Sequence, residues 1–181
     1  MRVTELAHQA VRAVVRPGDT VIDATVGNGH DTLFLARCVG ANGLVAGFDV
    51  QDAALQATRE RLEKCGVDGA RVRLNCESHE KMASVVEEPV AAVMFNLGYL
   101  PGGDHARTTV RGSTIVALGQ AWASLRRGGV ISVVCYRGHP RGGEEAAAVC
   151  AWAEGLEGAE VEISEREETE SGPFLVVVRK R

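Results

Sequence analysis

The spacing of apolar residues changes period repeatedly along this chain, and each change marks a predicted element. Leu6, Ala10, Val11 and Val14 recur at helical spacing and predict a helix over residues 4–15, stopped by Pro17-Gly18. The β-branched run VIDAT at 21–25 predicts a strand leading into Gly27-Asn28-Gly29, followed by a helix over 31–39 closed by Gly40. LVAGF at 44–48 reads as a second strand with Asp49 at its end, and a helix over 52–65 places Leu55, Thr58, Leu62 and Cys65 on one side before Gly66. RVRLN at 71–75, a short helix at 79–86 and VAAVMF at 90–95 continue the rhythm. Past a glycine-rich stretch at 96–112, Ser113 is the expected cap of a helix running to residue 127. Ile115, Leu118, Trp122 and Leu125 should face inward, with Gly128-Gly129 as the stop. VISVVCY at 130–136 is a continuous apolar strand, and an Ala-rich helix is expected over 144–156. EVEIS at 160–164 and FLVVVRK at 174–180 flank an acidic turn and predict an antiparallel hairpin.

Strands alternating with helices build a parallel sheet with right-handed crossovers and helices on both faces. Five such units plus the hairpin predict an α/β fold with a seven-stranded, mostly parallel sheet. This order resembles the class I, Rossmann-like fold of S-adenosylmethionine (AdoMet) methyltransferases, in which the last strand inserts antiparallel. No linker, repeat or composition break divides the 181 residues, so residues 1–181 are expected to form one domain. The longest apolar runs fall far short of the ~20 residues of a membrane span, and Glu5, His8, Gln9 and Arg12 interrupt the N-terminus, unlike a signal peptide. A cytoplasmic protein without a membrane partner is the expectation. The five cysteines, Cys38, Cys65, Cys76, Cys135 and Cys150, form no C-x-x-C pair and read as small buried thiols.

Charge refines this picture. Residues 154–170 hold eight Glu and one Arg, leaving 16 acids against 19 bases elsewhere, so the overall charge of −4 conceals a mildly basic remainder compatible with a nucleic-acid partner.

In an open α/β sheet, ligands sit beyond the carboxyl ends of the strands where the strand order reverses. The first strand runs into Asp23-Ala24-Thr25-Val26-Gly27-Asn28-Gly29-His30-Asp31, a tight glycine turn that matches G-x-G but has Thr32 at the third glycine position of a dinucleotide fingerprint. Asp31 at the start of a helix disfavours a pyrophosphate, whereas the methionine ammonium of AdoMet welcomes carboxylates such as Asp23 and Asp31. Asp49, 20 residues past Gly29, is placed to accept hydrogen bonds from ribose hydroxyls, with Gln51 assisting. Ser78 and His79 follow the third strand, where such folds contact adenine. AdoMet or a related nucleotide is therefore the expected cofactor. No metal is expected, because His30, His79, His105 and His139 lack ligand spacing.

After the fourth strand, Asn96-Leu97-Gly98-Tyr99 has the Asn and Tyr spacing of the N-P-P-Y motif of amino-group methyltransferases, with Leu-Gly in place of Pro-Pro. Such an Asn can orient an amine while an aromatic face holds the base. Arg137, His139 and Arg141 in YRGHPRG, with Arg107 and Arg111, form a candidate basic rim for nucleic-acid phosphates. Tyr136 or His139 is a candidate to take a proton, and no general base is assigned.

DATVGNGHDT, the Asp49 and Gln51 pair, Ser78-His79, FNLGYLPGGD, Ser113-Thr114 and YRGHPRG together resemble the small bacterial rRNA-methylase-like family of AdoMet-dependent tRNA 5-(aminomethyl)-2-thiouridine methyltransferases. The resemblance implies AdoMet held by Asn28, Asp49, Gln51, Ser78 and His79, and methylation of a wobble aminomethyl-uridine in the tRNA anticodon stem-loop. The alternatives are methylation of another RNA site or a small amine, and a non-catalytic nucleotide- or RNA-binding module. A homo-oligomer is left open.

Overall fold

The computed structural model describes residues 2–67, 71–86, 89–98, 111–138, 142–164 and 172–181. Helix α1 (Val3–Arg12) precedes β1 (Thr20–Asp23), α2 (His30–Val39), β2 (Leu44–Phe48), α3 (Asp52–Lys64) and β3 (Val72–Asn75). A short 3-10 turn, His79–Lys81, leads into α4 (Met82–Val85). Then come β4 (Val90–Leu97), α5 (Arg111–Ser124), β5 (Leu125–Cys135), α6 (Gly142–Glu154), β6 (Ala159–Ile163) and β7 (Phe174–Lys180).

The strands join in one seven-stranded sheet of order β3-β2-β1-β4-β5-β7-β6. β1 to β5 pair in parallel, and β7 runs antiparallel to both β5 and β6. This is the class I methyltransferase order. The period-2 alternation of the strands explains the two layers beside the sheet. Ile22, Phe48, Phe95, Ile131 and Val133 pack on one face with Leu118 of α5 and Val149 of α6. Val21, Val45, Met94, Val130 and Val134 pack on the other with Val11 of α1 and Leu35 of α2.

Several boundaries differ from the sequence pattern, among them the end of α1 and both ends of α5. Helix α1 ends at Arg12 rather than residue 15, because Arg16 turns its guanidinium back onto the carbonyls of Ala13 and Val15 and gives its backbone N–H to Asp19. Helix α5 starts at Arg111, two residues before the expected Ser113 cap, and stops at Ser124, so Leu125 belongs to β5. The Lys180 ammonium of β7 donates to the carbonyls of Trp122 and Leu125, 2.8 Å each, ending the helix where local sequence would continue it. A bulge between the pairs Val90↔Leu125 and Ala92↔Val130 absorbs Gly128-Gly129, so the glycines sit within β5. The cysteines also depart from expectation: only Cys135 is buried, whereas Cys65 caps α3 and Cys76 follows an edge strand, both exposed.

Arg126 follows that boundary and grips Asp19 with both guanidinium nitrogens at 3.0 Å, with a third contact to Val14 O. This fork ties the start of β5 to the loop before β1. Arg126→Ala should lower unfolding free energy by about 1 to 2 kcal/mol, since the pair is two-pronged but partly solvated. Urea denaturation monitored by far-UV circular dichroism checks this, and an unchanged midpoint would mean the fork contributes nothing.

Candidate active site

The strand order reverses beside β1, which lies between β2 and β4. Its carboxyl end therefore opens into a crevice that no crossover covers. The glycine turn there needs its glycines: Gly27 and Gly29 have φ of +52° and +75°, and a Cβ on Gly29 would lie 2.6 Å from Thr58 Oγ1. Four side-chain contacts fix the turn and its flank. Asp49 accepts the N–H of Gly27 on Oδ2 and that of Gln51 on Oδ1, both at 2.9 Å. Thr58 donates to Gly27 O at 3.2 Å and Arg61 Nε donates to Asn28 O at 2.6 Å. Each Asp49 oxygen keeps a second acceptor site on a half-buried group, as a ribose diol requires.

Behind the turn, Asp23 is fully buried. Its Oδ2 accepts the Thr32 hydroxyl at 2.5 Å and its Oδ1 the Thr25 N–H at 3.1 Å. Burial, followed by the nearby charge of Asp31, pushes the Asp23 pKa up to about 7 against the pull of those two hydrogen bonds. Asp31, half-buried at the start of α2, accepts from His8 Nε2 at 2.6 Å. Burial, and then Asp31, also hold the proton on Tyr136 more tightly than usual.

The expected adenine-side residues act largely as struts. Ser78 accepts the N–H of Glu80 and caps the 3-10 turn. His79 is 7% exposed, its Nδ1 lies 3.1 Å from Ala24 O, and its ring meets Phe95 edge-on. A carbonyl can only accept, so Nδ1 carries the proton; burial, the leading cause, lowers the pKa of this histidine. Asn96, the penultimate residue of β4, is half-buried beside the same strand end, and its backbone N–H donates to Thr25 Oγ1 at 2.7 Å. Arg137 lies with its guanidinium 4.5 Å from the Phe174 ring centroid. The structure thus gathers Asp23, Gly27, Asn28, Gly29, Asp31, Asp49, Gln51, His79, Asn96 and Tyr136 around one strand end and its neighbours. Tyr99, Arg107, His139 and Arg141 lie outside the described residues, as does the Arg111 side chain at the head of α5.

Sequence reasoning passed over Thr58 and Arg61, which face the glycine turn from one turn of α3, and His8. It also missed a fully buried hydrogen bond, 2.6 Å from Thr114 Oγ1 to Glu145 Oε1, that links the first turns of α5 and α6. A cavity of about 410 Å³ between α3 and β3, lined by Arg59, Leu62, Glu63, Val67, Val72 and Leu74, contains none of the site residues. Among the described residues, no three metal-ligating side chains cluster and no helix is long and apolar enough to cross a membrane.

Residues 45–179 match the family described as "Putative rRNA methylase". A chloroplastic tRNA (mnm(5)s(2)U34)-methyltransferase of Arabidopsis thaliana is 42% identical over 164 residues, which are 86% of this chain and 60% of that protein. The chain thus spans about three-fifths of that relative's length. A putative rRNA-methylase from Clostridium thermocellum superimposes with a TM-score of 0.96 at 40% identity, covering all of this chain and 98% of the other. A putative methyltransferase from Streptococcus mutans, solved in complex with SAH, gives 0.90 at 33% identity over 100% and 99%.

The raised pKa of Asp23 makes stability depend on pH. Its folded value of about 7 exceeds the unfolded one near 3.8, so its contribution is fully present below about pH 4 and is lost as pH rises through about 7. Asp23→Asn stays neutral throughout. Relative to wild type it should therefore gain stability between about pH 5 and 8, by roughly 1 to 4 kcal/mol. Urea midpoints at the two pH values check this, and a constant difference would return Asp23 to the usual carboxylate range.

Proposed function

Because this chain belongs to the family described as "Putative rRNA methylase", we propose that it is an AdoMet-dependent N-methyltransferase that converts 5-aminomethyl-(2-thio)uridine at the tRNA wobble position to the 5-methylaminomethyl nucleoside. The observation that carries this reading is the meeting of two half-sites at one strand end. The glycine turn with Asp49 lies on one side of Thr25, and Asn96, hydrogen-bonded to Thr25, lies on the other. The substrate follows from the activity named for the Arabidopsis relative. The chain works as one domain on the anticodon stem-loop.

The donor set fits AdoMet. Asp49 and Gln51 hold the ribose, the turn at Gly27, Asn28 and Gly29 lets the backbone approach, and Asp23 and Asp31 supply negative charge for the ammonium group. Ser78 and His79 support the adenine side. Bound AdoMet supplies an electrophilic methyl group, and its transfer to the amine nitrogen leaves SAH and one proton. Asn96 accepts an N–H of the neutral amine through its side-chain carbonyl and so aims the lone pair. Tyr99 holds the uracil ring and Tyr136 walls the same crevice. Arg137, steadied on Phe174, joins Arg107, Arg111, His139 and Arg141 in binding phosphates of the stem-loop.

Incubation with AdoMet and tRNA from cells lacking the modification, followed by nucleoside mass spectrometry, should show one methyl gained on the aminomethyl-uridine. No gain on that nucleoside would refute the substrate assignment. Asp49→Ala should raise the calorimetric Kd for SAH about 10- to 100-fold. Asn96→Ala should leave that Kd nearly unchanged while single-turnover methylation falls about 100-fold or more. Near-wild-type turnover in Asn96→Ala would remove the amine-orienting role.

A further inference from the structure

Helix α1 reaches the first turns of α2, just past the glycine turn, through His8. The His8 ring lies face to face on Phe34 of α2, with centroids 3.8 Å apart and planes within 3°. The Arg12 guanidinium sits 5.2 Å from the centroid of the same phenyl ring. Phe34 stands three residues after Asp31, so the two lie on neighbouring positions of one helix face. Stacking on Phe34 fixes the plane of the imidazole, and Nε2 then meets Asp31 Oδ1 at 2.6 Å. Among the described residues, the second oxygen of Asp31 receives no hydrogen bond, and the Asp31 side chain remains 12% exposed.

The charge around this pair is unbalanced. The Asp23 carboxylate is hydrogen-bonded by Thr25 and Thr32, the Asp31 carboxylate by His8, and among the described residues no Lys or Arg is hydrogen-bonded to either. Asp49 and Tyr136 are the other titratable groups whose fields couple to these carboxylates. Asp31, backed by the buried Asp23 and hydrogen-bonded by no Lys or Arg among the described residues, makes the recess behind the glycine turn complementary to a small cationic group. A hydrogen bond serving only to dock α1 would leave that recess indifferent to the charge of what enters it.

We propose that His8 is a positioning residue of the cofactor pocket, holding Asp31 so that its second carboxylate oxygen receives the primary ammonium group of the methionine portion of AdoMet. This rests on the AdoMet reading above and assigns α1 a place in the pocket wall. The imidazole N–H occupies one carboxylate oxygen and restricts rotation of the other, so less ordering is left for ligand binding to impose.

The test uses calorimetry on the full chain with three probes: SAH, its decarboxylated analogue S-adenosyl-thiopropylamine, and 5′-methylthioadenosine, which has neither ammonium nor carboxylate. His8→Ala should raise Kd about tenfold for the two ammonium-bearing probes and change that for methylthioadenosine by less than about twofold. His8→Gln, which retains an N–H donor, should restore most of the loss, and Asp31→Asn should reproduce the probe pattern of His8→Ala. Equal losses for all three probes would make His8 a fold residue, and losses for SAH alone would assign the contact to the carboxylate. Unchanged affinities would leave it outside the pocket, and each of these three results overturns the proposal. Failure of the wild-type chain to bind SAH would instead bring down the AdoMet reading itself, and the proposal with it.

Discussion

The sealed carboxylate at the end of the central strand is the constraint on which the carboxyl edge of the sheet depends. Asp23 cannot reach water, so its oxygens must be satisfied from within. Thr25 and Thr32 do so with a backbone N–H and a hydroxyl. Those two bonds commit the backbone to leave β1 in a tight turn and to begin α2 directly behind it. From this commitment the neighbouring strands take their endings. Thr25 receives the N–H of Asn96 at the end of β4, Ala24 O is bridged by His79 from beyond β3, and Val26 N–H pairs with Phe48 O at the end of β2. Three chain segments distant in sequence are thereby registered against one another within the reach of a single ligand.

Much of this was legible along the chain because periodicity and turn chemistry are local signals. All seven strands, including the hairpin, follow from alternation and β-branched runs, and β2 and β7 match their expected limits residue for residue. The glycine turn and Asp49 were legible for the same reason: a strand end, two glycines and an acid at a set distance lie within one βαβ unit. Much of what escaped was set by partners far away. The end of α5 depends on Lys180, more than fifty residues later, and no local rule anticipates an ammonium group arriving from another strand. Arg61 and Thr58 look like ordinary positions of an amphipathic helix until the fold sets them against the carbonyls of the turn. His8 is equally silent, since its partners Phe34 and Asp31 become neighbours only when α1 docks beside α2.

Charge is uneven across the sheet's width. The acidic stretch contributes Glu160 and Glu162 to β6, the outermost strand beyond β7. The half-buried Arg137 follows β5, nearer the centre. On the proposed reading, a phosphate-bearing substrate would meet its cations nearer the centre of the sheet than at this acidic margin.

The placement of β7 has a consequence for how the protein is made. β7 is synthesised after β6 yet lies between β6 and β5, so β6 has no partner strand until β7 has left the ribosome. Until then the growing chain holds a parallel sheet whose β5 margin, VISVVC, is open along its whole length. Closing it joins residues of β5 to residues about forty to fifty positions later, the kind of distant pairing that forms slowly. During that interval an apolar, unpaired strand margin is available to any other strand that meets it. Translation speed and chaperone access while β6 and β7 emerge therefore bear on whether this margin is closed by its own strand.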